Sequence, residues 1–459
     1  YIKGSATDGA SPVEIIGRNT IEDLGATTIA DITRNISVNS GSENNADSFT
    51  SGSTQGTSSI NLRGLGLSST LVLVDGRRNT VAAATANDGS VFVDTNSIPV
   101  IALERVEVLK EGAAAVYGSD AVAGVVNYIL RRDFSGLEFN LSQQKTDLGD
   151  STDDRVGVIW GKESGDTNIV VAYSQLDRSP IGGENLTDYS QLAISGFGNS
   201  FAILHAPFFG GINGGTIGSA LTNPTTEVTS GPYAGTYNLG ENVPDANCVA
   251  NAGILAPNAN IYGAVPGLGG FNGGQRCKFY YGDRFNLVND EDHKSMYASV
   301  KTTLASGINF ELDVMQTDIS VNDNPQSPSY PALSYLGKPV MPGQAGNPFA
   351  VPLLWIGRAL GSAFPSPLAP RDYANSRMSL GLNGTFTGRM GGPTGFEWDL
   401  HYTTSEQDSY YFQPDTSTSR FGAAINGTGG ATGTESWNLF DPSANSAALI
   451  AYISSGEER

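Results

Sequence analysis

The 459-residue sequence contains no long apolar run. A membrane-spanning helix needs about 20 consecutive apolar residues, and no window of the chain supplies them. The first residues, Tyr1 to Gly4, also lack the apolar region of a secretory signal peptide. We therefore expect no membrane-spanning helix, and we interpret the sequence as a mature or trimmed product.

Basic residues and histidines are also scarce. The chain has 26 lysines and arginines against 46 aspartates and glutamates, a formal charge of -20. This balance argues against nucleic acid as a partner, because phosphates require a basic surface. The 3 histidines are too widely separated to support a Ser/His/Asp arrangement. The sequence predicts neither an enzyme nor a bound metal or other cofactor.

Only two cysteines are present, Cys248 and Cys277, and both lie in one stretch rich in glycine, asparagine and proline. They are either unrelated thiols or a disulfide that closes a long exposed loop, which requires an oxidising compartment. The disulfide is favoured because no cluster of histidine and cysteine ligands competes for these thiols.

Glycine, in contrast, is abundant at 57 residues, while charged residues make up 16% of the chain. A disordered acidic chain would carry more charge and fewer aromatic residues. The composition is typical of β-strands joined by long loops. The length suggests at least two domains.

The first 130 residues have the pattern of a small mixed α/β unit. Residues Val13 to Ile16 predict a strand, and Thr28 to Asn35 predict a short helix that begins with a capping box. Residues Leu71 to Val74 predict a buried strand that ends in Asp75-Gly76, a strong turn signal. Small residues between Ala113 and Gly124 would let backbone segments pack closely.

From Leu137 onward the pattern changes to strict alternation. Leu137, Phe139 and Leu141 alternate with polar residues, as expected for strands with one apolar and one polar face. The same pattern recurs near residues 156–160, 169–173, 308–314, 378–386 and 396–402.

The connections between these strands alternate in length. Tight turns are predicted at residues 163–166, 305–307 and 391–395, and long loops at 179–293, 322–376 and 410–459. Short turns on one side and long loops on the other are typical of outer-membrane β-barrels. A soluble β-sandwich also has alternating strands, but the regular change between short and long connections favours the barrel.

Three segments carry a family resemblance. They are Pro12 to Ile32, Ser58 to Arg78 (SSINLRGLGLSSTLVLVDGRR) and Ile98 to Arg132 (IPVIALERVEVLKEGAAAVYGSDAVAGVVNYILRR). Together, and in this order, they resemble the plug domain of a TonB-dependent outer-membrane receptor. The positions that match the plug signature are Arg63, Gly64, Gly66, Asp75, Gly76, Glu104, Arg105, Glu107, Lys110, Gly118, Ser119 and Gly124.

The resemblance implies a mainly β fold, with an α/β plug domain inside a transmembrane antiparallel β-barrel. Residues 1–132 would form the plug and residues 133–459 the N-terminal part of the barrel with long extracellular loops. A whole barrel of the family has about 22 strands, and this chain has signals for about seven. Because lipid does not tolerate an open sheet edge, we expect a C-terminal remainder or a second chain to complete the barrel. The TonB box is expected upstream of Tyr1.

The resemblance also implies a function. A receptor of this family in the Gram-negative outer membrane would import a scarce nutrient, such as a siderophore or an oligosaccharide. TonB and its inner-membrane energising complex would transmit the proton-motive force. The predicted substrate-binding residues at the plug apex are Arg78, Asn79, Asn87 and Asp88. Two other interpretations stay open, a surface-exposed adhesion or structural protein and a passive porin, but a porin would not carry a folded plug.

Charged residues on the polar strand faces predict contacts with the plug. The inward carboxylates would be Glu138, Glu311, Asp313, Glu397 and Asp399, and the candidate plug cations Arg63, Arg78, Arg105 and Lys110. The alternative is that these carboxylates are solvated and have no specific partner.

Overall fold

The computed structural model describes residues 13–42, 54–148, 150–185, 192–195, 198, 200–203, 225–228, 235–238, 242–251, 253–257, 275–304, 307–326, 333–334, 340–349, 352–361, 363–386 and 395–458. Within these residues, none of the helices has the length and apolar character needed to cross a membrane.

Residues 13–130 form an N-terminal domain around a five-stranded sheet with the order β1-β4-β5-β2-β3. Strands β2 and β5 are parallel, and the other neighbours are antiparallel. The strands are β1 (Val13–Gly17), β2 (Thr70–Val74), β3 (Arg77–Arg78), β4 (Leu103–Leu109) and β5 (Gly124–Leu130), and the helices are α1 (Arg18–Asp23), α2 (Ile29–Arg34) and α3 (Ala114–Tyr117).

The predicted helix near residue 28 is present as α2, and its capping box is confirmed. The Asp31 carboxylate accepts a hydrogen bond from the Thr28 backbone N–H at 2.9 Å. This bond satisfies a backbone donor that the helix itself leaves free. The residues Ile29 and Ile32 are buried on the side of α2 that faces the core.

The predicted Asp75-Gly76 turn joins β2 to β3. Both residues have positive φ angles, 49° and 75°, which a two-residue hairpin turn of this type requires. The backbone of Gly124 is equally constrained. Its φ is 147°, and a Cβ there would collide with the carbonyl oxygen of Leu109, so only glycine allows β4 and β5 to approach this closely.

In the described residues, seven long antiparallel strands form the wall sheet together with one short C-terminal strand, and each long strand pairs with the next in chain order. The prediction of about seven strands after residue 137 is therefore confirmed. The strands are β6 (Gly136–Lys145), β7 (Thr152–Ser164), β8 (Thr167–Arg178), β9 (Glu291–Leu304), β10 (Ile308–Val321), β11 (Arg371–Phe386) and β12 (Phe396–Thr416).

The two faces of the wall sheet have opposite surroundings. The apolar side chains of the outward face are exposed, for example Phe139 at 68% and Leu141 at 74%. On the inward face, Ile159 and Val170 are fully buried and share one hydrophobic core with Ile101 of the N-terminal domain. A β-sandwich would bury the outward apolar residues against a second sheet, whereas a membrane barrel exposes them to lipid.

The connections divide the wall sheet into two ends. The turn end carries the link from the N-terminal domain at residues 131–135 and the β7–β8 turn at Gly165-Asp166. The loop end carries the connections at 146–151, 179–290 and 322–370. The predicted turns at 305–307 and 391–395 lie partly outside the described residues.

The connections at the loop end contain further elements. Their short strands are Ile181–Gly182, Ile194–Ser195, Ser200–Ile203, Thr225–Val228, Gly235–Asn238, Asn242–Pro244, Ile254–Pro257, Gln275–Tyr280, Asn286–Val288, Leu333–Ser334 and Leu353–Gly357. In the part of the chain that the structure describes, the short 3-10 helices are Leu67–Ser69, Thr95–Ser97, Val100–Ala102, Ser119–Ala121, Gly183–Asn185 and Pro442–Ala444. Cys248 and Cys277 form a disulfide, which confirms that prediction.

The prediction of a loop from residue 410 is wrong. Strand β12 continues to Thr416, and helices α4 (Thr418–Ile425) and α5 (Ala447–Ile453) follow. The last strand, β13 (Ser454–Glu458), pairs with the end of β12. These elements pack with parts of two other loop-end connections into a second hydrophobic core, which we call the loop cap. Its buried members include Val243, Val340, Phe349, Trp355, Phe421, Trp437, Leu449 and Ile453.

Candidate functional site

A partly buried arginine in the link is one of the side chains that attach the N-terminal domain to the wall sheet. Arg132 lies in the link between the two parts, and its guanidinium contacts Asp75 at 3.2 Å and Glu311 at 3.2 Å. The same guanidinium forms two hydrogen bonds with the carboxylate of Asp313. The Tyr297 hydroxyl donates to that carboxylate at 3.2 Å. One cation therefore joins a carboxylate of the N-terminal hairpin to two carboxylates of β10.

Burial raises the pKa of one carboxyl group in this cluster. The side chain of Asp75 is 5% exposed, and this burial raises its pKa to about 6, although the nearby Arg132 acts in the opposite direction. An isolated buried carboxylate resists ionisation because it has lost its hydration. Arg132 therefore favours the charged form of Asp75 at neutral pH.

A second ionic contact holds the start of strand β6. Arg131 donates to both oxygens of Glu138 at 3.0 and 2.7 Å, and Arg18 reaches the same carboxylate at 3.3 Å. Arg18 also donates to the Val100 carbonyl at 3.0 Å. The start of the wall sheet is thereby bonded to the link through Arg131 and to α1 of the N-terminal domain through Arg18.

Strand β12 holds the base of an exposed loop, residues 79–94, which we call the apex loop. The Gln407 side chain accepts a hydrogen bond from the Ala83 N–H at 2.6 Å and donates to Asp94 at 2.9 Å. The Ser409 hydroxyl donates to the Ala83 carbonyl at 2.9 Å. Both ends of the apex loop are therefore bonded to the same strand of the wall.

Asp94 makes this attachment dependent on pH. Burial raises its pKa to about 6, and hydrogen bonds from Ser58, Asn96 and Gln407 oppose the rise. Because the folded pKa exceeds the ordinary value of 3.8, this group stabilises the fold most below about pH 4 and loses that contribution as the pH rises through about 6.

We expect the unfolding free energy of the parent protein to fall relative to that of Asp94→Asn between pH 4 and 7, by about 3 kcal/mol. Urea unfolding of both proteins across this range measures the difference, and other titrating groups occur in both. A difference that stays constant with pH would show that Asp94 titrates normally.

The four predicted apex residues do not form one cluster. Arg78 pairs with Asp120 and donates to the Tyr117 carbonyl at 2.9 Å. The Asn79 amide donates to Ser97 at 3.4 Å, and Asp88 accepts from the Ser90 N–H at 2.8 Å. Asn87 and Asp88 are exposed in the apex loop. Their role as substrate ligands remains a prediction.

The predicted plug cations do not contact the wall carboxylates, and that part of the prediction is wrong. Arg63 donates to the Ala123 carbonyl at 3.1 Å, Arg105 pairs with Glu107 at 2.8 Å and Lys110 pairs with Glu14 at 3.0 Å, all within the N-terminal domain. The cations that reach the wall are Arg18, Arg77, Arg131 and Arg132.

Most of the wall carboxylates that were predicted to point inward do so. Glu138, Glu311 and Asp313 face the N-terminal domain, and Asp399 pairs with Arg77 at 3.4 Å, whereas Glu397 is exposed. The position of Arg131 and Arg132 directly before β6 was the signal that could have identified the two principal cations.

The remaining signature residues shape the N-terminal domain. Gly64, Gly66 and Gly118 all have positive φ angles. The Gly76 N–H donates to the Asn127 side chain at 2.8 Å, and Asn127 donates to Glu107 at 3.3 Å. Glu104 is exposed, and the Ser119 hydroxyl donates to the neighbouring Asp120 carboxylate at 3.2 Å.

A cavity of about 840 Å³ lies at the loop end, between helix α2 and the ends of strands β6 to β9. The N-terminal domain contributes Thr28, Asp31 and Asn96 to its lining, and the wall sheet contributes Gln144 and Arg178. Among the described residues, no group of histidine, cysteine, aspartate and glutamate could hold a metal ion.

Residues 5–125 match the family model described as the TonB-dependent receptor plug domain. The iron-regulated outer membrane virulence protein of Vibrio cholerae serotype O1 is 40% identical over 78 residues, which are 17% of this chain and 12% of that protein. The chain therefore matches only a small part of its curated relatives.

Three solved structures are among those that the chain matches. The ferric enterobactin receptor PfeA of Pseudomonas aeruginosa has a TM-score of 0.40 and 14% identity, with 88% of this chain and 47% of that chain covered. The siderophore receptor PirA of Acinetobacter baumannii has a TM-score of 0.38 and 15% identity, with 91% and 50% covered. The FrpB iron transporter of Neisseria meningitidis has a TM-score of 0.41 and 13% identity, with 90% and 43% covered.

Proposed function

We propose that this chain, which belongs to the TonB-dependent receptor family, is the plug and the first wall strands of an importer in the Gram-negative outer membrane. The importer takes up a scarce nutrient with energy that TonB transmits. One observation carries the proposal. A folded N-terminal domain is bonded through Arg132 to carboxylates on the inward face of a sheet whose outward face is apolar and exposed.

The dimensions of the wall sheet support a place in the membrane. A tilted transmembrane β-strand needs about 9–11 residues. Strand β8 has 12 residues, β9 and β10 have 14 each, and β11 has 16. Each of these strands is therefore long enough to cross the bilayer, and its outward apolar residues would contact lipid.

The N-terminal domain has a segment suited to removal by a pulling force. Strand β1 is at the edge of its sheet and pairs only with β4, through five residues from Val13 to Gly17. Segments with few buried contacts open at a lower free energy than the core of a domain. A force applied upstream of Val13 would reach β1 first and then Arg18, whose side chain contacts Glu138 of the wall.

Uptake by cells that produce the complete receptor tests this function. Ferric enterobactin, ferric citrate and labelled maltohexaose would be supplied in turn, before and after the proton gradient is collapsed with a protonophore. We expect at least one compound to accumulate, and we expect accumulation to stop when the gradient is lost. Deletion of the TonB gene should have the same effect.

A surface-binding protein without transport is the second candidate, because the loop cap is a folded structure at the loop end. Such a protein would bind a compound at the cell surface but would not accumulate it in energised cells. Uptake that continues unchanged without the gradient or without TonB would instead contradict energised import.

A further inference from the structure

We propose that the 840 Å³ loop-end cavity is a binding site for an uncharged, hydroxyl-rich ligand of the oligosaccharide class. This inference rests on the proposed import function and narrows its substrate. The cavity has the volume of a ligand site, since such sites typically enclose about 300–1,000 Å³. It lies between the N-terminal domain and the wall, at the end of the sheet that carries the long loops.

The charged residues that line the cavity cancel. Among the described residues they are three acids, Asp31, Asp153 and Glu291, and three bases, Arg34, Lys145 and Arg178, so the described part of the lining has no net charge. An anionic ligand such as a ferric catecholate or a ferric carboxylate would lose hydration on entry. It would meet no surplus of positive charge to compensate for that loss.

These charges are also engaged with each other or with nearby groups. Arg178 contacts Asp153 at 3.0 Å and Glu291 at 3.1 Å. Asp31 accepts hydrogen bonds from the Thr27 and Thr28 backbone N–H groups, both at 2.9 Å. An anion would have to displace a carboxylate from Arg178, whereas a neutral ligand leaves these pairs intact.

The rest of the polar lining is made of hydroxyls and amides. A hydroxyl both donates and accepts hydrogen bonds, and an amide offers two donors and an acceptor, which matches the donor and acceptor pattern of sugar hydroxyls. Apolar side chains of the lining would contact the C–H faces of sugar rings. The hydroxyl and amide residues include Thr28, Asn35, Thr57, Asn96, Gln144 and Ser151, and the apolar ones include Leu24, Ile181 and Leu287.

The register of β6 provides a matched pair of variants. Gln144 lines the cavity, and Gln143 shares the opposite, outward face with Leu137, Phe139 and Leu141 because side chains alternate along a strand. Both glutamines are exposed, so neither replacement disturbs a core. Gln144→Trp would fill part of the cavity, and Gln143→Trp would leave it open.

Isothermal titration calorimetry on the purified complete receptor tests the inference, with maltohexaose, cellohexaose and xylohexaose as neutral probes and ferric enterobactin as the anionic probe. We expect one neutral probe to bind with one-to-one stoichiometry. Gln144→Trp should weaken that binding by at least about tenfold, or about 1.4 kcal/mol, and Gln143→Trp should not change it. Asn35→Trp, on the exposed part of the lining, is a second blocking variant.

The results separate this inference from the import function. Binding of ferric enterobactin that Gln144→Trp abolishes, or no binding by any neutral probe, would overturn the neutral-ligand site even if energised uptake is observed. Binding of a neutral probe at the cavity without uptake would support the site and contradict import.

Discussion

Replacement of Arg132 by alanine is expected to destabilise the complete receptor by roughly 3–5 kcal/mol, because it leaves buried carboxylates without their cation. Asp75 and Asp313 have side chains only 5% and 2% exposed, and Glu311 is 19% exposed. All three contact the Arg132 guanidinium in the folded protein. The variant must either protonate Asp75 or admit water between the N-terminal domain and the wall.

Urea unfolding at neutral pH measures this loss of unfolding free energy, and two further variants serve as comparisons. Arg132→Lys keeps the positive charge but not the planar fork that contacts several carboxylates, so we expect an intermediate loss. Lys294→Ala removes an exposed ion pair with Asp292, and we expect no measurable change, because exposed pairs contribute little. If Arg132→Ala unfolded at the same urea concentration as the parent, the ionic cluster around Arg132 would not attach the N-terminal domain to the wall sheet.

The Arg132→Ala variant should also be rescued in part at low pH. Burial already raises the pKa of Asp75 to about 6, and removal of the opposing cation would raise it further. Protonation between pH 7 and 5 would then neutralise a carboxylate that lacks a partner. The deficit relative to the parent should therefore shrink as the pH falls, and a deficit that is independent of pH would indicate lost packing instead of unpaired charge.

Replacement of Phe421 by alanine should cost the loop cap about 3–5 kcal/mol, the usual range for a large aromatic residue removed from a core. The ring is fully buried. Its centroid is 5.3 Å from that of Trp355 and 6.1 Å from that of Trp437. These neighbours come from different connections, so the loss of Phe421 should loosen both segments together.

Hydrogen exchange across the loop cap, followed by mass spectrometry, measures this prediction. We expect faster exchange in α4 and in the strand Leu353–Gly357, with unchanged exchange in the wall strands. Val249→Ala is the control, because that side chain is 65% exposed and its truncation leaves no cavity. Faster exchange confined to α4 would mean that the connections fold independently of each other.

Local patterns in the sequence predicted much of the fold. Alternation from Leu137 to Leu141 identified the start of the wall sheet, and Thr28 with Asp31 identified the beginning of α2. The Asp75-Gly76 pair identified a hairpin. Each of these signals is complete within a few residues, because strand periodicity, helix capping and turn conformation are set by nearby backbone geometry.

Features that depend on distant residues were not predicted. Arg63 and Arg132 both lie in segments that resemble the plug domain. Only Arg132 reaches β10, because it lies in the link. The loop cap was missed because its core combines Val243, Trp355 and Phe421, none of which lies in a regular apolar period. The cavity likewise joins α2 to strand ends more than a hundred residues away in the chain.

The two arginines of the link also differ in when their contacts become possible as the polypeptide is made. Arg131 and Glu138 are separated by 7 residues, so they meet as soon as the first wall strand exists. Arg132 and Asp313 are separated by 181 residues, and contacts between such distant residues form slowly because a long loop must close first. The ionic cluster that contains Asp75 is therefore complete only after the fifth wall strand, β10, has formed. During synthesis the receptor should accordingly pass through a stage in which the Arg131–Glu138 contact has formed and the Arg132–Asp313 contact has not.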